Sequence, residues 1–261
     1  MYPYEIIFGM NLYDIFLATG VISALLFARI FADRDKTSAK LFNFILSNGI
    51  IAIIIGYCSA VVSQAVYNWL DGEEFKISAT TGATFLGGLI GGVLTFLTGY
   101  FIVGHFMFAD KENVRYFPRL LDVAAASITS AHGFGRLGCL MVGCCHGAQT
   151  DAWYGIYHVD LNAKVVPIQL FEAIFLFALC AIVVVLLVKK IPGAMALYMV
   201  TYGTWRFIVE FFRDDDRGST FVKFLTPSQL VSVILFVGAG FVYFLTVKMI
   251  SKFKTGECSN D

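Results

Sequence analysis

The chain has 261 residues, of which 58% are hydrophobic and 15% charged, with 19 basic against 19 acidic side chains and a mean hydropathy of +0.74. A soluble domain carries about 25% charged residues and under half apolar ones, so lipid has to serve as part of the solvent. The zero net charge gives no basis for a nucleic-acid partner. The six Cys do not read as a disulfide framework, which belongs to short secreted domains.

A helix needs about 20 mostly apolar residues to cross a bilayer core. Seven stretches qualify, at roughly 11–31, 41–67, 83–108, 118–142, 168–188, 194–212 and 227–247. The expected fold is an all-α integral membrane bundle of about seven transmembrane helices, forming a single transmembrane domain over residues 1–261. No Lys or Arg precedes the first run, so it lacks a signal peptide's basic flank and is expected to remain as a helix. The third run holds Gly87-Gly88-Leu89-Ile90-Gly91-Gly92, overlapping small-xxx-small pairs suited either to close helix packing or to a groove for a lipid head group.

The fourth run carries a charge at membrane depth, a functional hypothesis by default. It reads His132-Gly-Phe-Gly135-Arg136-Leu-Gly138-Cys139, then Gly143-Cys144-Cys145-His146-Gly147. Arg136 has no acid within a turn on its own helix, so its partner belongs to another helix or to a substrate. Cys139, Cys144, Cys145 and His146 invite a metal or redox reading. Five-residue spacing and adjacent thiols fit the usual zinc modules poorly unless the helix breaks at Gly143, and packing or substrate contact is the other reading. Cys58 and Cys180, inside apolar runs, read as small buried side chains.

Pro167-Ile-Gln169-Leu-Phe-Glu172 opens the fifth run, and Thr226-Pro227-Ser228-Gln229 opens the seventh. Both segments suit helix capping or a site. In the sixth run, spacings of four and three put Tyr202, Arg206, Glu210 and Arg213 on one helical face. Two guanidiniums flank one carboxylate there, an arrangement for a phosphate or for an internal ion-pair network. Lys and Arg of the connections and the adjoining span ends divide twelve against five between alternate connections. That bias places the N-terminus outside and the C-terminus in the cytoplasm.

These segments together resemble the prolipoprotein diacylglyceryl transferases. Gly135-Arg136-Leu137-Gly138 with Gly143 and Gly147 is similar to the family's signature segment. Pro167, Gln169, Leu170 and Glu172 resemble its His-Pro-x-Gln-Leu-Tyr-Glu segment, and Gly203 with Arg206 to Arg213 its segment ending in Glu-Phe-Phe-Arg. Gly87 to Gly91 matches its third-span glycines, and Tyr13 falls at its first-span Tyr.

The resemblance implies a multi-pass enzyme of the bacterial cytoplasmic (inner) membrane that moves the diacylglyceryl group of phosphatidylglycerol, or a similar phospholipid, onto a prolipoprotein lipobox cysteine. It implies no metal and no cofactor. Arg136, Arg206 and Glu210 would be catalytic, the two Arg on the phosphate and Glu210 orienting Arg206. Tyr13, Gly87, Gly88, His132, Gly135, Gly138, Cys139, Cys144, Gln169, Glu172, Tyr202 and Arg213 would contact substrate. The sequence departs from the family at Ala60, Leu86, Cys139, Cys144 and Val166, where the family carries Arg, His, Asn, Glu and His. Loss of those His leaves His132 or His146 to accept the thiol proton. The other readings are a transferase of the same fold with another donor or acceptor, a non-catalytic phospholipid binder or transporter, and a membrane thiol redox protein.

Overall fold

The computed structural model describes residues 4–7, 9–72, 74–78, 81–212 and 226–254. A small antiparallel pair, β1 (Glu5–Ile7) and β2 (Met10–Asn11), leads into α1 (Leu12–Arg34). Helix α2 (Ala39–Leu70) follows, then α3 (Phe85–Thr98), which runs through a π-helical turn at Gly99–Val103 into the short α4 (Gly104–Met107). Helix α5 (Glu112–Val142) is joined by the hairpin β3 (Ile156–His158) and β4 (Ala163–Val165) to α6 (Ile168–Val188). Helix α7 (Ala194–Val209) tightens into a 3-10 turn at Glu210–Phe212, and α8 (Pro227–Lys254) completes the order.

All seven expected runs are helical, and five of them are long and apolar enough to cross a bilayer: Leu12–Arg34, Ala39–Leu70, Leu86–Met107, Ile168–Val188 and Ser228–Phe253. The other two are α5, which carries five charged residues, and the 16-residue α7. The chain is an all-α integral membrane protein with two small hairpins, which hydropathy does not signal. Two compact units emerge, Met1–Phe31 with Pro118–Asp261, and Ala32–Phe117.

The Ala32–Phe117 unit is built on the approach of α3 to α2. A Cβ at Gly87 would overlap the Ser63 side chain and one at Gly91 would overlap Ser59, while Gly88 faces the Ala60 methyl at 3.1 Å. Small residues let the two backbones meet where lipid supplies no hydrophobic push. At the π-helical turn, Asn48 donates to the Phe96 carbonyl at 2.8 Å, restoring a hydrogen bond to backbone that the wide turn disturbs. Tyr100 is fully buried, donating to the Asn113 carbonyl at 2.6 Å, and the Asn113 amide donates back to the Tyr100 carbonyl.

In the other unit α5 is the centre. Its small residues Ala125 and Ala126 are fully buried beside Val123, Phe31 of α1, Leu179 and Val183 of α6 and Ala194 of α7. Its polar residues find protein partners. Ser127 donates to the Ala24 carbonyl at 3.0 Å, Ser130 bonds Ser23 at 2.9 Å, and Asp122 accepts the first amides of α7 from Gly193 and Met195 at 3.2 Å. A carboxylate there satisfies amides that a helix start leaves open and opposes the positive end of the dipole. This explains why α5 lacks the composition of a lipid-facing helix: protein, not lipid, surrounds it.

Candidate active site

Helical spacing sets up the site within the unit that α5 organises. On α5, His132 and Arg136 are four residues apart, as are Tyr202 and Arg206 on α7, and Gln169 and Glu172 are three apart on α6. Each pair therefore projects from one side of its helix. Glu172 is fully buried just past the first turn of α6 and gathers Arg136, Tyr202 and His132. Arg136 Nε lies 3.0 Å from Glu172 Oε2, an ion pair by distance in which the N–H is not aligned as a hydrogen bond. Tyr202 Oη donates to Glu172 Oε1 at 3.0 Å, and His132 Nε2 sits 3.8 Å from the same oxygen and 3.5 Å from the phenol. The His132 and Tyr202 rings meet edge to face, 4.9 Å between centroids.

The second guanidinium is on α7. Arg206, 6% exposed, donates from Nη2 to Ser228 Oγ of α8 at 2.8 Å and lies 3.4 Å from Glu210 Oε2. Glu210 accepts from Thr226 Oγ1 at 2.8 Å through its other oxygen. Both guanidiniums are within electrostatic reach of His132 and of Tyr202, so the two halves form one polar cluster spanning α5, α6, α7 and α8. The expected face of α7 is modified at its end, because α-helix stops at Val209 and Glu210 begins the 3-10 turn. Arg213 lies outside the described residues, as does Cys258. Among the described residues two Arg balance two Glu, so the excess of positive charge anticipated on α7 is not carried by this part of the cluster.

The thiols sit beyond the end of α5. Gly143 takes φ +83° and Cys145 φ +62°, a left-handed turn that folds the chain back. The break anticipated at Gly143 thus occurs, and it brings Cys139, Cys144 and Cys145 into mutual side-chain contact, with Cys144 Sγ 3.8 Å from the Cys139 carbonyl. All three are free thiols. Among the described residues no group of three or more His, Cys, Asp or Glu is placed to hold a metal ion. Hydrogen bonding with Cys139 and then Cys145, followed by burial, raises the Cys144 thiol far above its ordinary range. At neutral pH it is therefore protonated and a poor nucleophile.

Tyr13 of α1 packs its ring over Gly138, where a Cβ would come within 3.0 Å, and lies beside the three thiols. Gly135 has open space on its Cβ side. Gln169, fully buried, donates to the Cys144 carbonyl and ties the thiol turn to α6 one helical turn from Glu172. Gly87 and Gly88 belong to the other compact unit, where they pack against Ser63 and Ala60.

Three participants were not assigned from sequence. Ser228 appears there only as part of a capping segment, yet its hydroxyl holds Arg206. Thr226 and Gln229 do form the reciprocal cap of α8, at 3.1 and 3.2 Å, while Thr226 also reaches Glu210. His158 accepts from the Leu161 amide at Nδ1, so its Nε2 carries the proton and donates to the Gly143 carbonyl at 2.9 Å, pinning the thiol turn. No local pattern announces these three contacts, because each joins residues at least 15 positions apart.

Over residues 4–245 the sequence matches the prolipoprotein diacylglyceryl transferase family model. It is 31% identical over 261 residues to phosphatidylglycerol–prolipoprotein diacylglyceryl transferase 2 of Clostridium perfringens, covering 96% of this chain and 97% of that protein. It is 28% identical to the Clostridium tetani phosphatidylglycerol–prolipoprotein diacylglyceryl transferase, covering 91% and 94%, and 30% identical to the Dehalococcoides mccartyi protein of the same name, covering 85% and 84%. With a match from its first strand nearly to the end of its last helix, the chain belongs to the prolipoprotein diacylglyceryl transferase family.

Proposed function

We propose that the protein transfers the diacylglyceryl group of phosphatidylglycerol to the lipobox cysteine of a prolipoprotein in the bacterial cytoplasmic membrane. The observation that carries this reading is the cluster at membrane depth in which Arg136 is paired with buried Glu172, Tyr202 bridges to the same carboxylate, and Arg206, one turn along α7 from Tyr202, is held by Glu210 and Ser228. Arg136 faces Glu172 through Nε as an ion pair, so its fork keeps donors for a phosphate.

In the reaction, the acceptor sulfur attacks the glyceryl carbon that bears the phosphate ester. The new C–S bond replaces the C–O bond, and glycerol phosphate departs with the electron pair. Charge grows on the leaving oxygen, and prepositioned guanidiniums in a dry site stabilise it more in the transition state than in the ground state. The thiol proton passes to His132, the one imidazole in contact with the Glu172 carboxylate, which orients the ring. His146 sits lower in rank because its Nδ1 donates to the Gly147 carbonyl, in the turn beyond the helix end. The thiol turn and Tyr13 lie toward the outer surface in this reading, where the lipobox peptide arrives.

The test is a reconstituted assay with phosphatidylglycerol vesicles and a lipobox peptide, read as thioether product by mass spectrometry. Wild type forms product, and Arg136→Ala and Arg206→Ala each lower turnover about 10²–10³-fold. His132→Gln lowers it about 10²–10⁴-fold, while His146→Gln stays near wild type. Absence of thioether from wild type with lipid bound points to a different acceptor, and full turnover in both Arg variants removes the assignment.

A further inference from the structure

The Ala32–Phe117 unit contains a cleft that the transfer reaction does not use. It has a volume of about 460 Å³ and is lined by Lys40, Asn43, Ser47, Asn48, Ile51, Val103 and Met107 with Phe44. On α2 the lining positions step by three and one from Lys40 to Ile51, so a single helical stripe forms one wall. Val103 and Met107, four apart across the end of the π-helical turn, form the other.

The wall is graded. At its end, Lys40 donates to the Met107 carbonyl and lies 4.8 Å over the Phe108 ring, contacts that hold the ammonium in place without neutralising it. Among the described residues no carboxylate forms an ion pair with Lys40; Asp110 pairs with Arg115 at 3.2 Å, and Glu112 accepts from Ser38 at 2.9 Å. Next along the stripe come the exposed amide of Asn43 and the exposed hydroxyl of Ser47. Asn48, buried and fixed to the Phe96 carbonyl, closes the floor, and exposed apolar Ile51 and Val103 follow.

The level of this gradient follows from helix length. The 32 residues of α2 span about 48 Å against a hydrocarbon core of about 30 Å. Several residues at its start therefore lie among head groups, with Ser47 near the ester level. A fixed cation, then hydrogen-bonding groups, then apolar wall is the order phosphate, glycerol ester and acyl chain take in a lipid. Basic pockets between membrane helices bind anionic head groups.

We propose that this cleft is a binding site for an anionic glycerophospholipid of the leaflet that meets the start of α2. The phosphate lies on Lys40, the ester region on Asn43 and Ser47, and a chain along Ile51 and Val103. The site is separate from the Arg136–Arg206 cluster and stands whether or not the transfer reaction is as proposed above.

Full-length protein in bilayers of phosphatidylglycerol and phosphatidylcholine, each in turn carrying a photoreactive group on its glycerol, tests the site. Label from phosphatidylglycerol is expected on peptides containing residues 40–51 and 103–107, equally in wild type and in Arg136→Ala. Lys40→Gln is expected to reduce that label about five-fold, as loss of one surface cation does, and leave initial transfer rates unchanged. Equal labelling by phosphatidylcholine overturns the proposal, as does labelling indifferent to Lys40→Gln or displaced by soluble glycerol phosphate. Labelling of the unsubstituted protein decides the matter should the variant fold poorly.

Discussion

Two helix interfaces in this molecule solve the same problem in opposite ways. Where α3 meets α2, glycine faces serine and alanine, and close approach dominates, with Asn48 on the Phe96 carbonyl as a neutral hydrogen bond across it. Where α5 meets α6 and α7, apolar packing is joined by charge pairing, half-buried Arg136 on fully buried Glu172 with Tyr202 and His132 around them. The first is defined by volume and the second by pairing. A membrane interface made of small residues carries structure, whereas one that buries charge is expensive to maintain and is retained where chemistry needs it.

The largest effect should come from breaking the paired interface. Glu172→Ala leaves the half-buried Arg136 guanidinium without its carboxylate, and a loss of about 2–4 kcal/mol is expected, read as a lowered unfolding midpoint in detergent. A loss below ~1 kcal/mol would mean that water or lipid already shares that charge. On the volume side, Gly91→Val drives a branched side chain into Ser59, with an expected cost of about 1–3 kcal/mol in the same measurement. Gly91→Val combined with Ser59→Gly should recover part of it, and no recovery would deny that the two residues fill one space.

Smaller effects sharpen the contrast. Thr226→Ala removes both the cap of α8 and a hydroxyl bonded to Glu210, so about 1 kcal/mol of stability should be lost. If Glu210 serves Arg206, transfer falls in that variant as well, whereas a pure cap changes stability alone. The mildest test concerns Cys144, an exposed thiol with a raised pKa. Because a raised thiol pKa keeps the neutral form, alkylation at pH 8 should lag a free cysteine and accelerate only in strong alkali. Fast labelling at neutral pH would show that its thiol neighbours do not hold the proton.

The helices are legible in the sequence because apolar runs of spanning length are local, and the run at 168–188 coincides with α6. Arg136, Arg206, Glu210 and Glu172 were legible as charges in apolar surroundings. What stayed hidden was pairing. Arg136 has no acid on its own helix, and Glu172 is 36 residues further along the chain, so no periodicity links them. The π-helical turn at Gly99–Val103 and the hairpin of β3 and β4 were equally silent, since one depends on Asn48 from another helix and the other on pairing between short strands. The thiol cluster lay between these cases: Gly143 marked the place of the break, but only the folded turn shows three sulfurs meeting.

Gln169 and Glu172 hang from a single turn of α6, one gripping the carbonyl of the thiol loop and the other the Arg136 guanidinium. That turn works as a crossbar between two stations. Any displacement of the loop would pull on the same rod that sets the guanidinium. The two contacts are joined by roughly one helical pitch of backbone, about 5.4 Å.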